Sequence, residues 1–184
     1  MGVFHAAGVS NGKKCMMFYG DSGNGKSTLS ALLMAAGFDI LSDDFLPLES
    51  ETGKVFRFPA ALSIKKQAYD LLISLFPDLK NAEEYVNPAL QKTFRYLIPK
   101  KGMLTGVPCV ALVFVKYDMN VDFQMEEMKP EDAFIKLVPD SWIHPSEQNA
   151  KRFMVWFSGM NFYQLTYSNN SKMISTIKNM LASL

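Results

Sequence analysis

Gly20-Asp21-Ser22-Gly23-Asn24-Gly25-Lys26-Ser27 is the stretch on which the reading of this chain turns. It satisfies G-x-x-x-x-G-K-[ST] at every position. Glycines let a backbone fold around an anion, so that successive N–H groups point inward. A helix starting near Gly25 aims its positive end at the same place. Lys26 can reach the β- and γ-phosphates of a nucleotide, and the Ser27 hydroxyl can ligate Mg²⁺. With Thr28 next in the chain, residues Gly20, Asp21, Ser22, Gly23, Asn24, Gly25, Lys26, Ser27 and Thr28 form the candidate nucleotide-binding set, with ATP and Mg²⁺ as the expected cofactors.

The flanks agree with this reading. Before the loop, Val3 to Val9 and Lys14 to Tyr19 read as two strands of a hairpin around Asn11-Gly12, a type I′ turn signal. After it, Leu29, Leu32, Leu33 and Ala36 recur at helical spacing, and Gly37 is placed to end the helix. The apolar run Phe38 to Leu41 then leads into Ser42-Asp43-Asp44. Phosphoryl transfer needs a carboxylate for the metal and often a second to take the proton from an attacking hydroxyl. Asp43 and Asp44 are candidates for both tasks, on opposite faces if the strand continues. His5 joins them by arithmetic. A two-residue turn at Asn11-Gly12 pairs His5 with Phe18, which places the imidazole beside the mouth of the loop.

The remainder is less decided. Phe45 to Leu48 and Val55 to Phe58 predict a second hairpin, and Lys65 to Phe76 a helix with Ala68, Leu71, Leu72 and Leu75 inward. Residues 78–92 are ambiguous. Pro108 to Val115 is the best buried-strand candidate, and Val121 to Met128 reads as an edge strand. Helices are expected over Glu131 to Val138, Ser146 to Ser158 and the C-terminal segment, which carries Met173, Ile174, Ile177, Met180, Leu181 and Leu184 on one stripe. A strand from Phe162 to Tyr167 precedes that segment. Alternating strands and helices predict an α/β fold with a mixed sheet flanked by helices, in a single domain over residues 1–184. Arg57, Lys65, Lys66 and Arg95 are the basic residues considered for a second phosphate contact, with Lys65 foremost.

Composition sets the bounds. The chain has 184 residues, 48% hydrophobic and 20% charged, the profile of a folded globule. Its net charge of +1 does not support a generic nucleic-acid binder. The uncharged run Gly102 to Val115 is too short to cross a bilayer and contains Gly and Pro, so no membrane role is expected. Cys15 and Cys109 are too few for a disulfide framework or a four-thiolate zinc site, which favours a reducing, cytoplasmic setting.

From His5 through Asp44, the order is a strand histidine, an Asn-Gly turn, G-D-S-G-x-G-K-S, an amphipathic helix and an apolar run closing on D-D. This order resembles the catalytic domain of HPr kinase/phosphorylase, within the phosphoenolpyruvate-carboxykinase-like group of P-loop proteins. Arg57-Phe58-Pro59 with Ile64-Lys65, and the ending from Phe162 onward, are also similar to that group. The resemblance implies transfer of the γ-phosphate of ATP to a serine hydroxyl of a protein or peptide, with phosphorolysis as a possible reverse activity. It implies catalytic roles for His5, Lys26, Asp43 and Asp44. One aspartate would serve as general base and the other would help hold the metal. Ser27 and Asp44 are the expected metal ligands, although the residues alone leave the division between the two aspartates open. It further implies a homo-oligomer. The Gly- and Arg-rich signature of true HPr kinases has no counterpart in Glu51 to Gln67, which argues against HPr itself as the acceptor. The family's N-terminal regulatory domain has no counterpart in this sequence either.

Two rivals stand beside this reading. Val115-Lys116-Tyr117-Asp118 imitates the guanine-reading N-K-x-D motif of GTPases, but with Val for Asn and with no D-x-x-G in the sequence. A nucleotide sensor that binds without turnover is the other.

Overall fold

The first strand is interrupted. The computed structural model describes residues 2–88, 92–99, 102 and 105–184, and it divides the expected Val3–Val9 strand into β1 (Gly2–Phe4) and β2 (Ala7–Ser10). Ala6 N donates to Phe4 O (2.9 Å), closing a tight bend at His5-Ala6. The bend lets one run of chain serve two sets of neighbours.

β3 (Cys15–Tyr19), α1 (Lys26–Ala35) and β4 (Asp39–Ser42) follow, then β5 (Leu46–Leu48) and β6 (Lys54–Val55). The next group is β7 (Leu62–Lys65), α2 (Tyr69–Ile73), β8 (Glu84–Asn87) and β9 (Lys92–Leu97). The chain continues through β10 (Val107–Tyr117), β11 (Phe123–Glu127), α3 (Pro130–Leu137) and β12 (Ser141–Ile143). It ends with α4 (Glu147–Ser158), β13 (Asn161–Tyr167) and α5 (Asn170–Ser183). The result is a mixed α/β architecture. A ten-stranded sheet runs β12-β1-β5-β6-β10-β3-β2-β4, with β13 also on β10 and β11 on β13. β10 is parallel to β3 and to β13, and the other pairings of this sheet are antiparallel. A separate antiparallel sheet runs β7-β9-β8.

β3 and β10 are apolar almost throughout because both faces are covered. Met16, Phe18, Ala111, Val113 and Val115 pack in one core with Leu29, Leu32 and Leu33 of α1 and Met173, Ile177 and Leu181 of α5. The alternate residues Cys15, Met17, Tyr19, Leu112 and Phe114 pack in a second core with Phe4, Ala133, Leu137, Phe153 and Phe157. Each fully buried large apolar side chain contributes about 1.5–3 kcal/mol, so these central strands form a stiff base for the loops at their ends. Cys15 and Cys109 pair in register on adjacent strands as buried free thiols.

Two expectations fail in the middle of the chain. The helix predicted over Lys65 to Phe76 is shorter, because β7 pairs with β9 through Lys65. A 3₁₀ turn follows, and α2 begins at Tyr69. The later start points Tyr69 and Leu72 inward, while Leu71 and Leu75 are 40% and 46% exposed. β8 and β9 fall within and just beyond the ambiguous segment, whose residues 89–91 lie outside the described residues. β12 was also unexpected. Trp142 at its centre is 58% exposed and stacks on Phe45. Among the described residues no helix is long and apolar enough to cross a membrane.

Candidate functional site

The glycine-rich loop joins the end of β3 to the start of α1. Gly20 has no room for a side chain, since a Cβ there would lie 2.7 Å from Val115 O on β10. Gly25 occupies the N-cap of α1 at φ 90°, a left-handed conformation that L side chains resist. Helices normally begin on a Ser, Thr, Asp or Asn whose side chain takes an orphan amide. α1 has no such bond and no acidic residue in its first turn. The amides of its first turn and the positive end of the helix dipole are thereby directed to whatever fills the loop. Asn24 fixes the loop to the sheet, with Tyr117 N donating to Asn24 O (3.1 Å).

Lys26 is only 7% exposed and crosses the loop, its Nζ donating to Gly20 O and lying 3.5 Å from Asp21 O. Burial lowers its pKa, and the carboxylates of Asp43, Asp44, Asp21 and Asp140 pull it back up. Those four acids partly offset the cost of burying the ammonium.

The paired aspartates diverge because the chain turns at the end of β4. Ser42 Oγ accepts from Phe45 N (3.0 Å), bending the backbone through residues 43–44. Asp43 is 1% exposed. Burial, its largest influence, and the neighbouring Asp44 charge raise its pKa to about 6, against the opposing pull of Ser27, Lys26 and Ser30. Ser30 Oγ donates to Asp43 Oδ1 (3.3 Å), while Asp43 Oδ2 is buried with no hydrogen-bond partner among the described residues. Such an orphaned carboxylate oxygen beside a hydroxyl suits a Mg²⁺ ion or its water. Asp44 lies at the other end, its side chain 47% exposed, with Oδ1 3.6 Å from His5 Nε2.

His5 thus meets Asp44, but not by the expected register. Ala7, not His5, pairs with Phe18. The connection holds four residues, because Asn11 Oδ1 accepts from Lys13 N (3.0 Å) and Lys14 N (3.1 Å) and Asn11 N donates to Lys14 O. A shift of two residues keeps every side chain on its face, so the core is unaffected. His5 falls in the bend, where its N–H donates to Asp140 O (3.1 Å). Of the two acids, Asp43 is the one set beside the Ser27 hydroxyl.

The chain matches no protein-family model. No curated protein matches it in sequence. Among solved structures it is similar to the HPr(Ser) kinase/phosphatase from Coxiella burnetii, at 11% identity and a TM-score of 0.42, over 97% of this chain and 89% of that one. At that similarity nothing of the neighbour's activity carries over to this chain.

Three residues complete the surroundings. Lys65 Nζ and Lys92 Nζ each lie 3.4 Å from Ser22 Oγ. Asp140 accepts from the Tyr19 hydroxyl, and that bond, together with the larger influence of burial, holds the phenol well above its ordinary pKa. Lys65 was legible from the sequence. Lys92 and Asp140 were not, because a surface-strand lysine and a turn aspartate carry no local signal. Arg95 does not approach the site. Its guanidinium donates to the carbonyls of Leu79 and Lys80 and covers the Tyr69 ring at 4.6 Å. Asp118, the residue that gave the GTPase reading its force, is engaged locally by Lys116 Nζ (2.9 Å) and Asn120 N (3.1 Å). A cavity of about 490 Å³ lined by Glu49, Ser50, Glu51, Phe56, Asn149 and Arg152 shares no residue with the site.

Proposed function

We propose that this protein is an ATP-dependent phosphotransferase acting on a hydroxyl of a protein or peptide acceptor. The observation that carries the reading is Asp43: a buried carboxylate with an unpartnered oxygen, held against Ser27 and Lys26 at the mouth of a helix that no side chain caps. A structural aspartate would be paired on both oxygens or left in solvent.

Each residue then has a task. The loop amides and Lys26 bind the nucleotide phosphates. Ser27 and Asp43 would hold the Mg²⁺, which when bound neutralises charge on the phosphates. Asp44 is exposed enough to meet an incoming hydroxyl, and His5 orients it. The acceptor oxygen forms a bond to the γ-phosphorus as the bond to the ADP oxygen breaks, ADP leaves, and the hydroxyl proton passes to Asp44. The near-neutral charge of the chain suits such an acceptor better than nucleic acid. The test is transfer of label from γ-labelled ATP, with Mg²⁺, to proteins encoded beside this one. Labelled phosphoserine formed by the wild type and absent with Lys26→Ala supports the reading. ATP bound but never transferred to any acceptor or to water replaces it with a sensor.

A further inference from the structure

We infer that Lys65 and Lys92 form a two-ammonium clamp on the terminal phosphoryl group, closing over it from the three-stranded sheet and making the site selective for a nucleoside triphosphate over the diphosphate. This rests on the phosphotransferase reading and adds a binding site for one particular phosphate.

The topology brings the two lysines together. Lys65 ends β7 and pairs with Phe94, while Lys92 begins β9 two residues before Phe94. Strand alternation puts Lys65, Phe94 and Lys92 on one face of the sheet, with the lysines as diagonal neighbours whose long side chains can converge. They do converge, on a single atom. Both Nζ atoms lie 3.4 Å from Ser22 Oγ, in the first half of the glycine-rich loop. The opposite face of β7 carries Leu62 and Ile64 into the core, which anchors the strand behind the clamp.

Two ammonium groups do not share one hydroxyl without cause. Among the described residues neither lysine has a carboxylate within 4.0 Å. Lys65 is additionally disfavoured as a cation by burial and by the charges of Lys92 and Lys26. A dianionic phosphoryl group between these three ammoniums removes the repulsion and supplies the missing acceptors. Which phosphate it is follows from what the loop leaves over. The loop amides and Lys26 serve the inner phosphates, whereas Lys65 and Lys92 reach the loop from outside it, on the separate three-stranded sheet. The clamp therefore addresses the transferred group, where charge spreads over the equatorial oxygens during transfer.

The experiment is an equilibrium titration of the whole protein with Mg²⁺ and, separately, ATP, ADP, and ADP with beryllium fluoride as a stand-in for the terminal phosphoryl group. Wild type, Lys65→Met, Lys92→Met and the double variant are compared, methionine keeping most of the stem. The wild type is expected to prefer ATP over ADP by about 10-fold or more. The double variant should keep its ADP affinity within about 2-fold and lose both the ATP preference and the response to beryllium fluoride. Thermal melting of each variant checks the fold, and Lys92→Arg, which retains the charge, should keep part of the preference. A double variant with an unchanged ATP-to-ADP ratio, or one that loses ADP to the same extent as ATP, overturns the clamp while leaving the phosphotransferase reading intact. A wild type that binds neither nucleotide overturns both.

Discussion

Replacing Asp43 with asparagine should make the protein more stable, and only above a certain pH. The Asp43 carboxyl titrates near 6 in the fold instead of 3.8, chiefly because burial disfavours its charge. Between those values the folded state keeps a proton that the unfolded chain has released. Unfolding stability therefore falls as pH rises through this window, and above pH ~6 the whole penalty is present. At about 1.36 kcal/mol per pKa unit, the penalty is about 3 kcal/mol. Asparagine has nearly the same shape and no charge to bury. Urea denaturation of wild type and Asp43→Asn at pH 4 and pH 7.5 measures the effect. The two curves should nearly coincide at pH 4, and the variant should gain up to about 3 kcal/mol at pH 7.5 with an unchanged slope. In a chain of this size that gain is a rise in melting temperature of roughly 2–4 °C per kcal/mol. A variant destabilised equally at both pH values would refute the reasoning, because Asp43 would then be a paired structural acid. Storing such a cost at one buried carboxylate is what a ligand site does, at the expense of the free protein's stability.

The same pair of acids should separate kinetically. Asp43→Asn should weaken the Mg²⁺ dependence of nucleotide binding, whereas Asp44→Asn should leave binding in place and lower the transfer step by about 10²–10⁴-fold. Titrations at varied Mg²⁺ alongside single-turnover assays read both, and a reversed pattern would exchange the two roles. Gly20→Ala should destabilise the chain by about 1–3 kcal/mol, because the new Cβ meets the Val115 carbonyl on a central strand that cannot give way; a wild-type melting temperature would contradict this. Tyr19→Phe should cost about 1.5–3 kcal/mol by leaving the Asp140 carboxylate without its hydroxyl donor. Denaturant melts check it, and no loss would mean solvent replaces the bond.

The glycine-rich loop was legible because its chemistry fixes residue identities at fixed spacing, and nothing else competes for Gly-Lys-Ser after an apolar strand. The later helices were legible from their apolar spacing, and the structure adds the caps: Ser146 accepts from Asn149 N (3.2 Å) and Asn169 from Lys172 N (3.1 Å). The hidden parts depend on pairings remote in sequence. Lys92 reaches Ser22 only because β7 and β9 lie side by side, and the charged and aromatic residues of β9 obscure its alternation. His5 reached its partner despite a wrong register, since Asn11 used its side chain to build a longer turn than Asn-Gly usually makes. Asp140 enters the site from a turn that no periodicity marks.

Calorimetric titration of Mg-ATP into wild type and Lys26→Ala tests the central claim most directly. The wild type should bind one equivalent per chain and the variant should lose that binding, because the charge that crosses the loop is gone. A flat wild-type titration with ATP, pyrophosphate and phosphate alike, or an unchanged affinity in Lys26→Ala, would contradict the assignment of the Gly20–Ser27 loop as a phosphate site.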